Sequence, residues 1–178
     1  MIAKTFIART CRLLIVPLAL VALCGAKSTD KHSLVGVGDP APAFSVTTTD
    51  GVGIDTEALK GKVILVNFFA TWCPPCMVKL PQLEKNIYQQ IDHEDLVMVN
   101  LGREHNSDEM AEFKEEHGYS MPFAADPDRA IYSQYADLMI PRSVIIGRDG
   151  SVVVHQLGVT SKEVEHLKQV IQQQLDAS

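Results

Sequence analysis

The strongest constraint on the fold is the stretch VILVNFFA at residues 63–70, apolar except for one asparagine and rich in β-branched and aromatic side chains. It shows no alternation of polar and apolar positions, so it reads as a strand covered on both faces. Such a strand needs packing layers on either side, which makes it the candidate central strand of an α/β domain. The lack of charge extends further, since residues 63–78 contain no charged side chain at all.

The neighbouring segments fit that architecture. DLVMVNLG at 95–102 repeats the buried-strand signature. Between the two strands Met77, Leu80, Leu83, Ile87 and Tyr88 recur at helical spacing, which predicts a helix from Pro74 to about Gln90, opened by proline and kinked by Pro81. In NSDEMAEFKEEHG, Ser107 is the candidate N-cap of a second helix and Gly118 its stop. A short strand near Pro122–Ala125 and a helix from about Pro127 to Tyr135 follow. SVIIGRDGSVVVHQLG then gives two strands joined at Asp149-Gly150, and Val164, Leu167, Val170, Ile171 and Leu175 form one face of a closing helix. Upstream, strands near Phe44–Thr48 and Val52–Asp55 around Asp50-Gly51 predict a hairpin. The order is an N-terminal β-hairpin followed by βαβαβαββα: an α/β class with a parallel start and an antiparallel end.

At 178 residues the chain suits one domain with a real core. Residues 1–26 hold Lys4, Arg9 and Arg12, no acid, and an apolar run from Leu13 to Leu23, the pattern of a secretory signal peptide. The run falls short of the roughly 20 residues of a membrane-spanning helix. Leu23 before Cys24 makes a poor lipobox, whereas Cys24 and Ala26 are suitably small for cleavage after Ala26. Soluble export is therefore the first expectation; an uncleaved anchor and a lipid on Cys24 are the alternatives. Residues 27–38, KSTDKHSLVGVG, read as a flexible tether, and residues 39–178 as the domain. Removing residues 1–26 takes three basic residues from sixteen and no acid from twenty-two, leaving a net charge of −9. That surface repels nucleic acid and anionic lipid. The same cut removes Cys11 and Cys24, leaving Cys73 and Cys76 as the one thiol pair.

Three readings of that pair compete: a redox couple, half of a metal site, or a structural staple. A disulfide across i and i+3 closes so small a loop that it constrains little of the unfolded chain, so stability is a poor reason for it. Zinc needs four ligands, and His32, His93, His105, His117, His155 and His166 show no i, i+3 or i+4 pairing. Haem attachment needs histidine after the second cysteine, where Met77 stands. A peroxide-reducing cysteine usually has proline and threonine ahead of it, and no proline precedes Cys73 within the strand. At a helix start, by contrast, the partial positive charge favours a thiolate. Cys73 is then the attacking nucleophile and Cys76, one turn deeper, resolves the mixed disulfide. Trp72 shields one side, Pro74 starts the helix, and no metal or other cofactor is called for. A thioredoxin-fold scaffold with a permanently closed disulfide is the non-enzymatic alternative.

NFFATWCPPC, with Pro81 five residues after Cys76 and IPRSVIIGRDG near the end, resembles the thioredoxin superfamily, most closely its exported TlpA/ResA-like branch, over residues 36–175. The resemblance implies a central mixed sheet flanked by helices with an added N-terminal hairpin, and a redox-active Cys73–Cys76 disulfide. It implies that Pro141 is the cis-proline beside that disulfide and that Ile140 presents its backbone to substrate, with Trp72, Pro74 and Pro75 shaping the site; Pro74-Pro75 between the cysteines does not fix the potential. It also implies an extracytoplasmic or periplasmic reductant of disulfide-bearing proteins, recharged by a membrane thiol donor.

Two departures matter. The position six residues before the first cysteine, often a buried aspartate in the superfamily, is Asn67, and the position three after the second, often glutamate in the ResA-like branch, is Lys79. Neither usual carboxylate is available to move the Cys76 proton. Lys79 either lies near the pair and favours thiolate or points to solvent, the latter being the expectation for a lysine beside an apolar helix face. Arg142, where relatives often have threonine, either borders the site or is a surface residue; Arg103 and Glu104 rank lower.

Overall fold

A computed structural model describes residues 30–177; the expected signal peptide and Cys24 lie outside the described residues. The central strand, β3 (Val63–Phe69), is buried at all seven positions. On one side it pairs in parallel with β4 (Leu96–Arg103), which pairs in parallel with β5 (Phe123–Asp126). On the other it pairs antiparallel with β6 (Arg142–Ile146), followed by β7 (Val152–Leu157), so the sheet order is β5-β4-β3-β6-β7. This is a thioredoxin-like mixed sheet.

The pleat of β3 divides the core in two. Val63, Leu65 and Phe69 enter one apolar cluster with Leu80, Leu83, Ile87, Phe113 and Leu167, while Ile64, Val66 and Phe68 enter the other with Phe44, Ile54, Tyr132 and Tyr135. The first lies under α1 (Pro74–Leu83), α2 (Ser107–His117) and α4 (Ser161–Asp176). The second is closed by α3 (Tyr132–Tyr135) and a separate antiparallel hairpin, β1 (Ser45–Thr47) with β2 (Gly53–Asp55). Each fully buried Val, Leu, Ile or Phe is worth about 1.5–3 kcal/mol, so losing either layer would remove the reason for β3 to be a strand. Among the described residues no helix is long and apolar enough to cross a membrane.

Several local features differ from the sequence expectation. Pro81 sits inside α1, and the helix changes to a π-type turn over Glu84–Tyr88, where the Gln89 N–H reaches the Glu84 carbonyl at 3.0 Å. The cap of α2 is Asn106, one place before Ser107, and forms a capping box with Glu109; Gly118 does end the helix, at φ 66°. The helix expected from Pro127 shrinks to one turn: Arg129 has φ 62°, and the Asp126 carboxylate takes the N–H groups of Ile131 and Tyr132 at 3.0 and 2.8 Å.

Within the segment read from sequence as a tether, residues 30–38 are docked as a strap. The Leu34 N–H bonds the Tyr135 carbonyl at 2.9 Å, the Gly38 N–H bonds the Val152 carbonyl at 2.8 Å, and the Asp137 N–H reaches the His32 carbonyl at 3.1 Å. Arg142 is the anchor and, contrary to a surface placement, is fully buried. Its guanidinium pairs with Asp30 at 2.6 Å and donates to Ser33 Oγ at 2.8 Å, the Leu138 carbonyl at 3.0 Å and His155 Nε2 at 3.1 Å, while His155 Nδ1 donates to the Val35 carbonyl at 2.8 Å. A buried cation needs such partners, and the strap supplies two of them, Asp30 and Ser33, and holds a third, His155, through Val35. Asp30→Ala is expected to lower stability by about 2 kcal/mol, read as a drop in the urea midpoint without a change of slope.

Candidate active site

The strand-to-helix turn at the end of β3 builds the site. Cys73 is the N-cap of α1, with extended φ −98° and ψ 102°, and Pro74 and Pro75 occupy the first helical positions. Two prolines remove two of the amides that a helix start normally leaves unpaired. The next two N–H groups, of Cys76 and Met77, both donate to the Cys73 carbonyl at 3.0 and 3.2 Å. The thiol of Cys73 therefore meets the helix end as an oriented dipole rather than through an amide of the first turn.

Cys73 and Cys76 are joined as a disulfide with Cα atoms 5.3 Å apart. Their exposures are unequal: Cys73 retains 5 % and Cys76 none, while Trp72 is 57 % exposed and Pro74 and Pro75 face solvent. Opposite them the Ile140–Pro141 peptide is cis, and the Ile140 carbonyl lies 3.9 Å from Cys73 Sγ. The fold thus brings together Trp72, Cys73, Pro74, Pro75, Cys76, Ile140 and Pro141 from two distant parts of the chain. The loop leading to Pro141 exposes Leu138 and Met139, giving the approach to Cys73 an apolar rim.

Two groups support the turn from behind. Arg103 is buried and stacks its guanidinium 5.4 Å from the Trp72 ring and 4.9 Å from the Tyr132 ring. His105 Nε2 accepts the Thr71 N–H at 3.0 Å, and its Nδ1 lies 3.4 Å from a Glu109 carboxylate oxygen. His105 carried no sequence signal, since its role depends on β4 placing it behind the 70–72 loop. Among the described residues no group of three or more histidine, cysteine or acidic side chains is arranged to hold a metal.

Asn67 lies in a polar row across three strands: its Nδ2 donates to Asn100 Oδ1 at 3.0 Å and its Oδ1 accepts the Ser143 hydroxyl at 3.1 Å. Neutral and hydrogen-bonded at both amide atoms, it is no acid or base for the thiols. A buried carboxylate does exist on the helix, at Glu84, but it is held by the Ser120 hydroxyl, the Met121 N–H at 3.1 Å and Gln89 Nε2 at 3.1 Å.

Lys79 overturns the solvent expectation. It is fully buried, and its Nζ has no hydrogen-bond partner among the described residues. Loss of hydration pushes its pKa from 10.5 down to about 7; the Glu163 carboxylate opposes the fall and Arg142 adds to it. Between those two values the unfolded chain holds the proton more tightly than the native one, so stability rises as pH is raised through that window. From pH 7 to 9.5 the oxidised wild type is expected to gain about 3 kcal/mol more than Lys79→Met, measured by urea denaturation at both pH values.

Residues 36–171 match the Redoxin family. The chain is 30% identical over 138 residues to "Thiol-disulfide oxidoreductase ResA" of Bacillus subtilis, covering 74% of this chain and 73% of that one. It is 29% identical over 168 residues to the protein of the same name from Bacillus thuringiensis, covering 89% and 96%. A solved structure from Bacteroides thetaiotaomicron superposes with a TM-score of 0.76 at 31% identity, over 82% of this chain and 93% of that one. A thiol:disulfide interchange protein of the thioredoxin family from Chlorobium tepidum gives 0.60 at 27%, over 76% and 95%. With its family match spanning the sheet, the CxxC turn and the cis-proline loop, the chain belongs to the Redoxin family.

Proposed function

We infer that this protein is a thiol–disulfide oxidoreductase that exchanges the Cys73–Cys76 couple with disulfides of other proteins. The observation that carries this is the pairing of a slightly exposed Cys73 with a fully buried Cys76 at the start of α1, against the cis-Pro141 loop. In the reduced state Cys73, favoured as thiolate by the helix dipole, attacks a substrate disulfide and expels one substrate sulfur as thiolate. Cys76 then attacks Cys73 Sγ, re-forms the internal disulfide and releases the second sulfur. The substrate is reduced by two electrons and the pair oxidised by two. Leu138, Met139 and Trp72 offer apolar contact to the incoming chain, and the backbone of Ile140 offers it polar pairing.

The direction we propose is reduction, outside the cytoplasm, with the signal-like residues 1–26 as the route of export and an anchor or a lipid on Cys24 as its alternative outcomes. An oxidising compartment holds no glutathione buffer to recharge a reductant, so a membrane thiol donor is the partner on the other side of the cycle. Disulfide-bearing extracytoplasmic proteins are the substrates. Cys73→Ser should abolish turnover in an insulin disulfide-reduction assay, and Cys76→Ala should accumulate mixed disulfides; turnover surviving Cys73→Ser would reject the assignment. A reduction potential well below about −200 mV fits a reductant, and one near −120 mV an oxidant.

A further inference from the structure

Resolution of the mixed disulfide requires the buried Cys76 thiol to lose a proton, and the stretch from residue 63 to residue 78 offers no charged group to take it. Neither Asn67 nor the fully engaged Glu84 can serve. One ionisable group does stand close by. Lys79 follows Cys76 by three residues on α1, so the two side chains occupy the same face one turn apart, with Cβ atoms about 5–6 Å apart in such pairs. Long side chains on a helix lean toward its N-terminus, which turns the Lys79 stem back toward Cys76. Both residues are fully buried, and the amine lacks a hydrogen-bond partner among the described residues.

Two charged groups act on the amine. They are Glu163 on α4 and Arg142 on β6. Arg142 directly follows Pro141, and the Glu163 carboxylate packs against Gly158, whose N–H bonds the Pro141 carbonyl at 3.2 Å. Arg142 is thus joined to the cis-proline through its backbone, and Glu163 reaches it by way of Gly158. Glu163 is held by its capping contacts, accepting the Thr160 N–H at 2.7 Å and the Thr160 hydroxyl at 2.8 Å. Of the other charged groups on packed elements, Glu84 is bound to Ser120 and Met121, and Lys168 on α4 donates to Gln90.

We propose that Lys79 is the proton acceptor for Cys76. Resting on the exchange reaction above, the step balances as follows. After Cys73 has formed the mixed disulfide, the neutral Lys79 amine takes the Cys76 S–H proton, giving ammonium and thiolate. The thiolate attacks Cys73 Sγ, the Cys73–substrate bond breaks, and the substrate sulfur leaves with its electron pair. The ammonium remains to pass its proton outward or to the departing sulfur. In reductive recharging the order reverses, and the ammonium protonates Cys76 as a donor thiolate attacks Cys73. An amine near neutrality exists as both acid and base in one pH range, the condition for shuttling a proton both ways. Unlike a carboxylate, its charged form stabilises the thiolate it creates.

The test uses the full-length reduced protein with the chromogenic disulfide 5,5′-dithiobis(2-nitrobenzoate). Attack by Cys73 releases one equivalent of coloured thiolate, and resolution by Cys76 releases the second. For Lys79→Met the first phase should stay within twofold of wild type while the second slows at least about tenfold at pH 7, the difference closing as hydroxide takes over above about pH 9. A second phase with unchanged rate and pH midpoint would overturn the proposal. Because that variant alters the core, the wild type is also read directly by lysine 13Cε NMR. The Lys79 titration midpoint should rise by at least about one pH unit on reduction, since the two groups titrate as a coupled pair; equal midpoints in both redox states would overturn it. No first phase in wild type would instead count against the exchange reaction itself.

Discussion

Burial of β3 on both faces is the condition from which the rest follows. Seven consecutive residues with no access to water require a helical layer on one side and the hairpin with α3 on the other, and alternate side chains are divided between those layers. The strand must also stop where its cover stops, and the chain then turns directly into α1. The thiol pair is therefore placed at the carboxyl end of the central strand, at the edge where an α/β sheet presents its working loops. The cis-proline loop reaches the same edge because β6 runs antiparallel beside β3, pairing Arg142 with Phe68.

Five charged side chains are buried among the described residues, and three of them, Glu84, Arg142 and Lys79, are buried under different terms. Glu84 is compensated by the Ser120 and Met121 backbone and hydroxyl donors, and joins α1 to the segment entering β5. Arg142 is compensated by the strap and by the carbonyls of its own loop. Lys79 lacks a hydrogen-bond partner among the described residues and meets its burial by giving up charge near neutral pH. The first two are structural. The third stands three residues after Cys76 on α1, where both side chains are fully buried.

The element order, the central position of β3 and the identity of the disulfide pair were legible because each rests on a local signal: an apolar run, a helical repeat, a CxxC at a helix start. Pro141 was legible only through the family resemblance carried by IPRSVIIGRDG. What stayed hidden depends on tertiary neighbours. Lys79 looks like a snorkelling lysine until α4 closes over it, and Arg142 looks like a loop residue until Asp30 and His155 converge on it. The strap was concealed by composition, since KSTDKHSLVGVG has the polarity and glycine of a linker. Its order comes from backbone hydrogen bonds to Tyr135 and Val152, which no side-chain pattern announces. His105 was missed for the same reason, acting on the backbone of Thr71 rather than through a recognisable motif.

The strap also fixes how the domain carries mechanical load. Tension entering at Asp30 reaches Arg142, the first residue of β6, through their ion pair, and Tyr135 of α3 through the Leu34 N–H. The loop that faces the disulfide thus takes the load first, while the Cys73 turn, carried by β3 and α1, receives it only through the pairing of Arg142 with Phe68. The two halves of the site therefore sit at different distances from the strap, one a single peptide bond from its anchor and the other across a strand pair.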